Sequence, residues 1–185
     1  FYHESYFWRD RSRVPPHNLY TSSERLQEFA AKKGWKIEEP QIGWAVGALN
    51  TNASSTATQI AVDFSFDIFA IRYEYDAASK SYLRTLAGAP HKDAGNGQQI
   101  AVKNVVVLYS SSTVINQKLL TIDLESLGSG RAVIFSGGQH IAARWRKSSS
   151  AAPLELIDAD GSRIALAPGP TWFAVLDQHG TASWK

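Results

Sequence analysis

Hydrophobic and polar positions alternate along most of this chain. Ile60, Val62, Phe64 and Phe66 fall on one face and Asp63, Ser65 and Asp67 on the other, the period-two pattern of a half-buried strand. Phe69, Ile71, Tyr73 and Tyr75 continue on the opposite parity, which predicts a bulge or tight turn around Asp67. A turn at Asp76–Lys80 then returns the chain through Tyr82–Ala87 as an antiparallel hairpin. Ile100–Tyr109 is apolar apart from Lys103 and Asn104 and reads as a central strand covered on both faces. Further strands are expected at 119–125, 131–136, 139–146, 154–157, 163–167 and 171–176, with the serine triplets at 110–112 and 148–150 as loops.

The period is helical in one place. Leu26, Phe29 and Ala30 recur at helical spacing, Thr21 and Glu24 have the spacing of a capping box, and Lys32, Lys33 and Gly34 close the pattern, so a helix is expected over 22–33. Trp35 and Ile37 begin a short extended piece, and residues 43–58, rich in Gly, Ala, Ser, Thr and Asn, read as a loop or linker. The expected fold is α+β and mainly β: an antiparallel β sandwich or barrel preceded by an extended arm and one short helix. Residues 1–57 would be arm, helix and linker belonging to a larger upstream unit, and 58–185 the β domain.

Composition narrows the class. With 44% apolar and 11% aromatic residues in 185, the chain has enough apolar surface for a packed core. The net charge of +2 is local, since residues 1–36 hold seven Lys and Arg against four Asp and Glu. One arginine cluster is not the broad basic face of a nucleic-acid binder, so no nucleic-acid partner is expected. Zero cysteines exclude disulfides, thiol nucleophiles and thiolate metal sites. No apolar run approaches the ~18 residues that span a bilayer. The chain begins at Phe1 and contains no methionine, so it is expected to be a processed or trimmed piece.

The densest polar chemistry lies in Arg9–Thr21. Pro15 and Pro16 fix two backbone angles and remove two donors, which would hold His17 and Asn18 on a rigid, extended arm. On an extended segment Arg9, Arg11 and Arg13 share one face and could fork a phosphate or carboxylate; the alternative is a solvated basic strand paired with Asp10. His17 is a candidate general base with Asn18 as orienting donor, or else the two form a turn in which Asn18 bonds nearby backbone. His91 and Asp93, two residues apart after Arg84, could act as an acid/base pair, or simply build a loop. No metal or other cofactor is expected, and the nucleophile elbow, zinc-protease, phosphate-loop and dinucleotide motifs are absent. Asp158–Gly161 reads as a hairpin turn and not a calcium loop, because the required glutamate is missing. Trp145, Trp172 and Trp184 are either a sugar-stacking platform or core.

Two blocks carry a resemblance. Phe7-Trp8-Arg9-Asp10 through His17-Asn18-Leu19-Tyr20-Thr21-Ser22, and Tyr82-Leu83-Arg84, Gly88 and His91-Lys92-Asp93 with Lys103-Asn104-Val105-Val106-Val107, resemble the YerB-like bacterial lipoproteins of unknown function. A looser third block joins Asp158-Ala159-Asp160-Gly161, Pro168-Gly169 and Thr171-Trp172. The resemblance is to the C-terminal part of that family. It implies an extracytoplasmic protein, membrane-anchored in its precursor only through a lipid outside this chain, with the upstream part of the same precursor as a partner. Three functions are then expected in order: a binding module for an anionic envelope component or small molecule, using Arg9, Arg11, Arg13, Asn18 and Arg84; a hydrolase using His17, His91 and Asp93; or a scaffold without a small-molecule site. The arm and the Arg84–Asp93 segment are expected to meet.

Overall fold

The computed structural model describes residues 4–36, 41–49, 55–64, 66–118 and 121–185. The chain divides into two compact units, Phe1–Gln41 and Ile42–Lys185, a boundary upstream of the expected one at 57/58.

In the first unit a 3-10 turn at Glu4–Tyr6 leads to Trp8–Arg9, which pairs antiparallel with Leu19–Tyr20, and helix α1 spans Ser23–Lys32. Its cap is Ser22 and not Thr21. Ser22 Oγ accepts from the Arg25 N–H at 3.4 Å, whereas Thr21 Oγ1 donates to the Tyr6 carbonyl at 2.8 Å and is unavailable to the helix. At the other end Gly34, at φ +66°, lets the Gly34 and Trp35 amides reach back to the Ala31 and Ala30 carbonyls, at 3.0 and 2.9 Å. Phe29 packs edge-on between Tyr6 and Trp35, with ring centroids 4.9 and 5.5 Å away. The expected continuation at Ile37 lies outside the described residues.

The second unit is a β sandwich built from nine principal strands: β1 Gln59–Asp63, β2 Ile71–Asp76, β3 Ser81–Leu86, β4 Asn104–Tyr109, β5 Gly128–Ser136, β6 Gln139–Lys147, β7 Glu155–Ile157, β8 Thr171–Leu176 and β9 Thr181–Trp184. One sheet has the order β9-β1-β2-β3, extended by Ala89–Pro90 and Ala101–Val102, both paired with β3. The other has the order β7-β6-β5-β4-β8, with Ser55–Thr56 added to β6. Ile60, Val62, Ile71, Tyr73 and Tyr82 of the first sheet meet Val105, Val107, Val133, Phe135, Ala174 and Leu176 of the second. The reverse face of the second sheet buries a second core around Val106, Ile134, Trp145, Leu156 and Leu166. Strand β4 is therefore covered on both faces, as its unbroken apolar run requires, and Val105, Val106 and Val107 are each 0% exposed.

Several expectations need correction. The run 100–109 is two strands and not one: Ala101–Val102 belongs to the first sheet and β4 to the second, with Lys103 at the crossing. Strand β1 ends at Asp63, and Phe66, Ile68 and Phe69 are exposed around a 3-10 turn at Asp67–Phe69. Among the described residues two strand pairs are parallel, β4 with β8 and Ala45–Val46 with Ala165–Leu166, and Gly43 bridges Glu155 in parallel. The described parts of 43–58 are bound to the sandwich through Gly43, Ala45–Val46 and Ser55–Thr56. Ser110 and Ser111 are loop as expected, but Ser112 begins a strand, Ser112–Asn116, that pairs with Thr121–Leu124 in the expected 119–125 strand; residues 119–120 lie outside the described set. Trp145 sits in the second core, while Trp172 and Trp184 pack against the first, so they do not form one platform. Among the described residues no helix is long and apolar enough to cross a membrane.

Candidate functional site

The β2–β3 hairpin positions the candidate site. Asp76 Oδ2 accepts the Ser79 amide at 2.8 Å, and this turn, with Lys80 at φ +49°, fixes the register. Hydrogen bonds from Ser79 also hold the Asp76 carboxyl below its ordinary range. That register sets Tyr75 opposite Tyr82 and Tyr73 opposite Arg84. Period two then gives Tyr73, Tyr82 and Arg84 the core-facing side of the sheet, and Arg84 is only 4% exposed.

A tight return brings His91 back to it. Leu86 pairs with Ala89 and Thr85 with Pro90 around Gly88, at φ +80°; the His91 amide bonds the Arg84 carbonyl at 3.0 Å, and Gln99 Nε2 donates to the same oxygen at 2.9 Å. Arg84 Nη1 donates to His91 Nδ1. A guanidinium has donors only, so Nδ1 must be the acceptor and the His91 proton sits on Nε2. From the opposite sheet Trp172 offers its face, 4.1 Å from Arg84 Cζ to the ring centroid, and Tyr73 lies at 6.0 Å. The His91 ring is edge-on to Trp172 at 6.4 Å.

Arg84 thus has two rings and an imidazole around it and, among the described residues, no carboxylate within ion-pair distance. Among the described residues the ion pairs are Arg13–Asp10, Arg72–Asp63, Arg146–Glu155 and Arg163–Glu155. Arg84 Nε and Tyr73 Oη are buried without a hydrogen-bond partner. Burial pushes the Tyr73 phenol up to about 12, opposed by the facing Arg84 guanidinium, first through hydrogen bonding and then through its charge.

Other candidates have different employment. Asp93 does not form an acid/base pair with His91: its Oδ1 accepts the amides of Gly95 and Asn96, at 2.7 and 3.2 Å, and closes an exposed loop. In the first unit the strand stops at Arg9 and the chain turns through residues 11–13, so Arg9, Arg11 and Arg13 do not line one extended face. Pro15–His17 is also turn, and His17 is exposed. Asn18, 4% exposed, plugs that turn: it accepts from Arg9 Nη1 at 2.7 Å and donates to the carbonyls of Asp10 and Arg13, at 3.1 and 3.3 Å. Arg13 reaches Asp10 at 3.6 Å and lies 5.6 Å from the Tyr20 ring centroid. Arg11 is exposed. The arm and the Arg84–His91 cluster belong to separate compact units. Among the described residues no group of three or more His, Asp or Glu could hold a metal ion. Sequence reasoning found Arg84 and His91 but missed Tyr73 and Trp172 as their neighbours. The opposed parity of Tyr73 and Arg84 about the Asp76–Lys80 turn was the available signal for the first; Trp172 had none, because contact between strands of different sheets leaves no local pattern.

Comparison with known proteins gives the lineage. "Putative lipoprotein YerB" of Bacillus subtilis (strain 168) is 27% identical over 183 residues, covering 97% of this chain and 54% of that protein. The chain therefore spans about half the length of that relative. The crystal structure of YerB protein from Bacillus subtilis shares the fold, with a TM-score of 0.75 at 23% identity over 96% of this chain and 59% of that one. Residues 60–173 match the model of the C-terminal domain of DUF3048, a protein family of unknown function, and the chain belongs to that family.

Proposed function

We propose that this chain is an extracytoplasmic cell-envelope module that binds an anionic ligand, a phosphate- or carboxylate-bearing component, through Arg84. The observation that supports the reading is a guanidinium, 4% exposed, whose described neighbours include no carboxylate and whose Nε has no acceptor. A buried charge without a counter-charge costs several kcal/mol. The Trp172 face and the neutral His91 acceptor offset part of that, each on the order of 1 kcal/mol. An anion would supply the missing charge, with charge-assisted bonds of roughly 1.5–3 kcal/mol each.

The place in the envelope rests on the lipoprotein name of the Bacillus relative. Hydrolysis is less well supported, because His91 Nδ1 and the Asp93 carboxylate are both engaged elsewhere. Native mass spectrometry of the protein purified from a bacterial envelope tests the reading. The expected spectrum shows an acidic adduct that disappears in Arg84→Met. A spectrum without an adduct, or an adduct that survives in Arg84→Met, overturns it.

A further inference from the structure

The geometry of Arg84 carries information about the shape of its ligand as well as its charge, an inference that rests on the anion-binding reading. Ring stacking uses the faces of a guanidinium, while hydrogen bonds use its edge. Arg84 gives a face to Trp172 and Nη1 to His91. What is left is the side-on edge formed by Nε and Nη2, two parallel N–H bonds at the spacing of the oxygens of a carboxylate. Nε is buried and unpartnered, and the hydrogen bond to His91 uses Nη1, not Nη2.

Tyr73 adds a third donor. It stands directly opposite Arg84 in the ladder, on the same face, and its hydroxyl is, among the described residues, the other buried side-chain polar atom without a partner in hydrogen-bond geometry. Residues paired in this way have Cβ atoms about 5 Å apart, so the two orphan groups belong to one locus. Tyr73 stays protonated, and therefore remains a donor, throughout the neutral range.

We infer that Arg84 and Tyr73 together form a carboxylate site: the two oxygens accept side-on from Nε and Nη2, and the Tyr73 O–H donates to one of them. Charge supports a carboxylate over a phosphate monoester. One guanidinium neutralises one negative charge, and a second charge brought into the same partly dry site would remain unpaired. A neutral water would satisfy the hydrogen bonds but leave the cation uncompensated.

The test uses the full chain with 15N-labelled arginine, following the Nε–H resonance that vanishes in Arg84→Met. Acetate is expected to shift it to saturation, inorganic phosphate to leave it in place, and Tyr73→Phe to weaken acetate roughly tenfold. Arg84→Lys keeps the charge without the fork and is expected to lose acetate binding. If phosphate saturates the resonance and acetate does not, the carboxylate assignment falls while anion binding stands. If neither anion moves it, both fall. If acetate binds equally well in Tyr73→Phe, the role of the hydroxyl falls.

Discussion

Tyr73 and Arg84 face each other across β2 and β3, and each keeps a buried polar atom without a protein partner. Buried polar groups are nearly always satisfied, and Arg84 as donor with Tyr73 as acceptor answer each other only in part, which leaves the phenol O–H and the guanidinium edge to a further acceptor. Elsewhere in the same core the accounts close: Tyr82 Oη donates to the Ala57 carbonyl at 3.1 Å.

Burial pushes Tyr73 up to about 12 and raises Tyr82 as well, against an ordinary value of 10.0. In the window between roughly pH 10 and 12 the unfolded chain has lost phenolic protons that the folded chain keeps. Stability is therefore full below pH 10 and falls as pH rises through that window. Urea unfolding at pH 9 and 11 should show a lower midpoint at pH 11, with a smaller drop in Tyr73→Phe. An identical drop in the variant would show that Tyr73 is not the source.

Val106 is 0% exposed in a strand covered on both faces. Val106→Asp places a carboxylate in that core with no partner, which costs several kcal/mol. Loss of a cooperative thermal transition is expected; a variant that melts within a few degrees of the parent contradicts the double-covered strand.

This strand illustrates what could be read from sequence. An apolar run without alternation is a local property, as is the period of two in β1 through β3, and both survive into the fold. The exit at Lys103 was hidden because Ala101, Val102 and Val105 are equally apolar, and only their partners in different sheets distinguish them. Composition also misled over 43–58, where small polar residues suggested a linker. Gly43 has another reason for being small: a Cβ there would lie 1.9 Å from the Leu154 carbonyl oxygen. At the site, Arg84 and His91 stood out because charge and imidazole are conspicuous in a β pattern. Arg9, Arg11 and Arg13 stood out equally, yet Asn18 folds their segment into a turn, a long-range use of an amide that spacing does not encode.

Asn104 is 0% exposed and fully used. Its Nδ2 donates to the Ala167 carbonyl and Thr171 Oγ1, each at 2.9 Å, and its Oδ1 accepts the Ala167 amide at 3.0 Å. Asn104→Ala leaves both Ala167 groups unpaired and should cost on the order of 3 kcal/mol. A loss below about 1 kcal/mol by urea titration would mean that the loop before β8 finds other partners.

Trp145 Nε1 donates to the Tyr109 carbonyl at 2.8 Å, directly over Gly130. A Cβ at Gly130 would stand 2.4 Å from that nitrogen and 2.5 Å from that oxygen. Gly130→Ala should therefore destabilise by about 1–3 kcal/mol, read as a lower urea midpoint. An unchanged midpoint would contradict the close approach.

Thermal midpoints of the parent chain and of Arg84→Met, each measured over increasing acetate, test the binding claim most directly. Replacing a buried charge by an apolar side chain of similar volume is often neutral or stabilising, so Arg84→Met should melt at or above the parent without acetate. Acetate should then raise the parent midpoint progressively, as a ligand of the folded state does, and leave that of Arg84→Met unmoved. A parent insensitive to acetate, beside an Arg84→Met variant that melts far below it, would contradict the account and make Arg84 a structural residue.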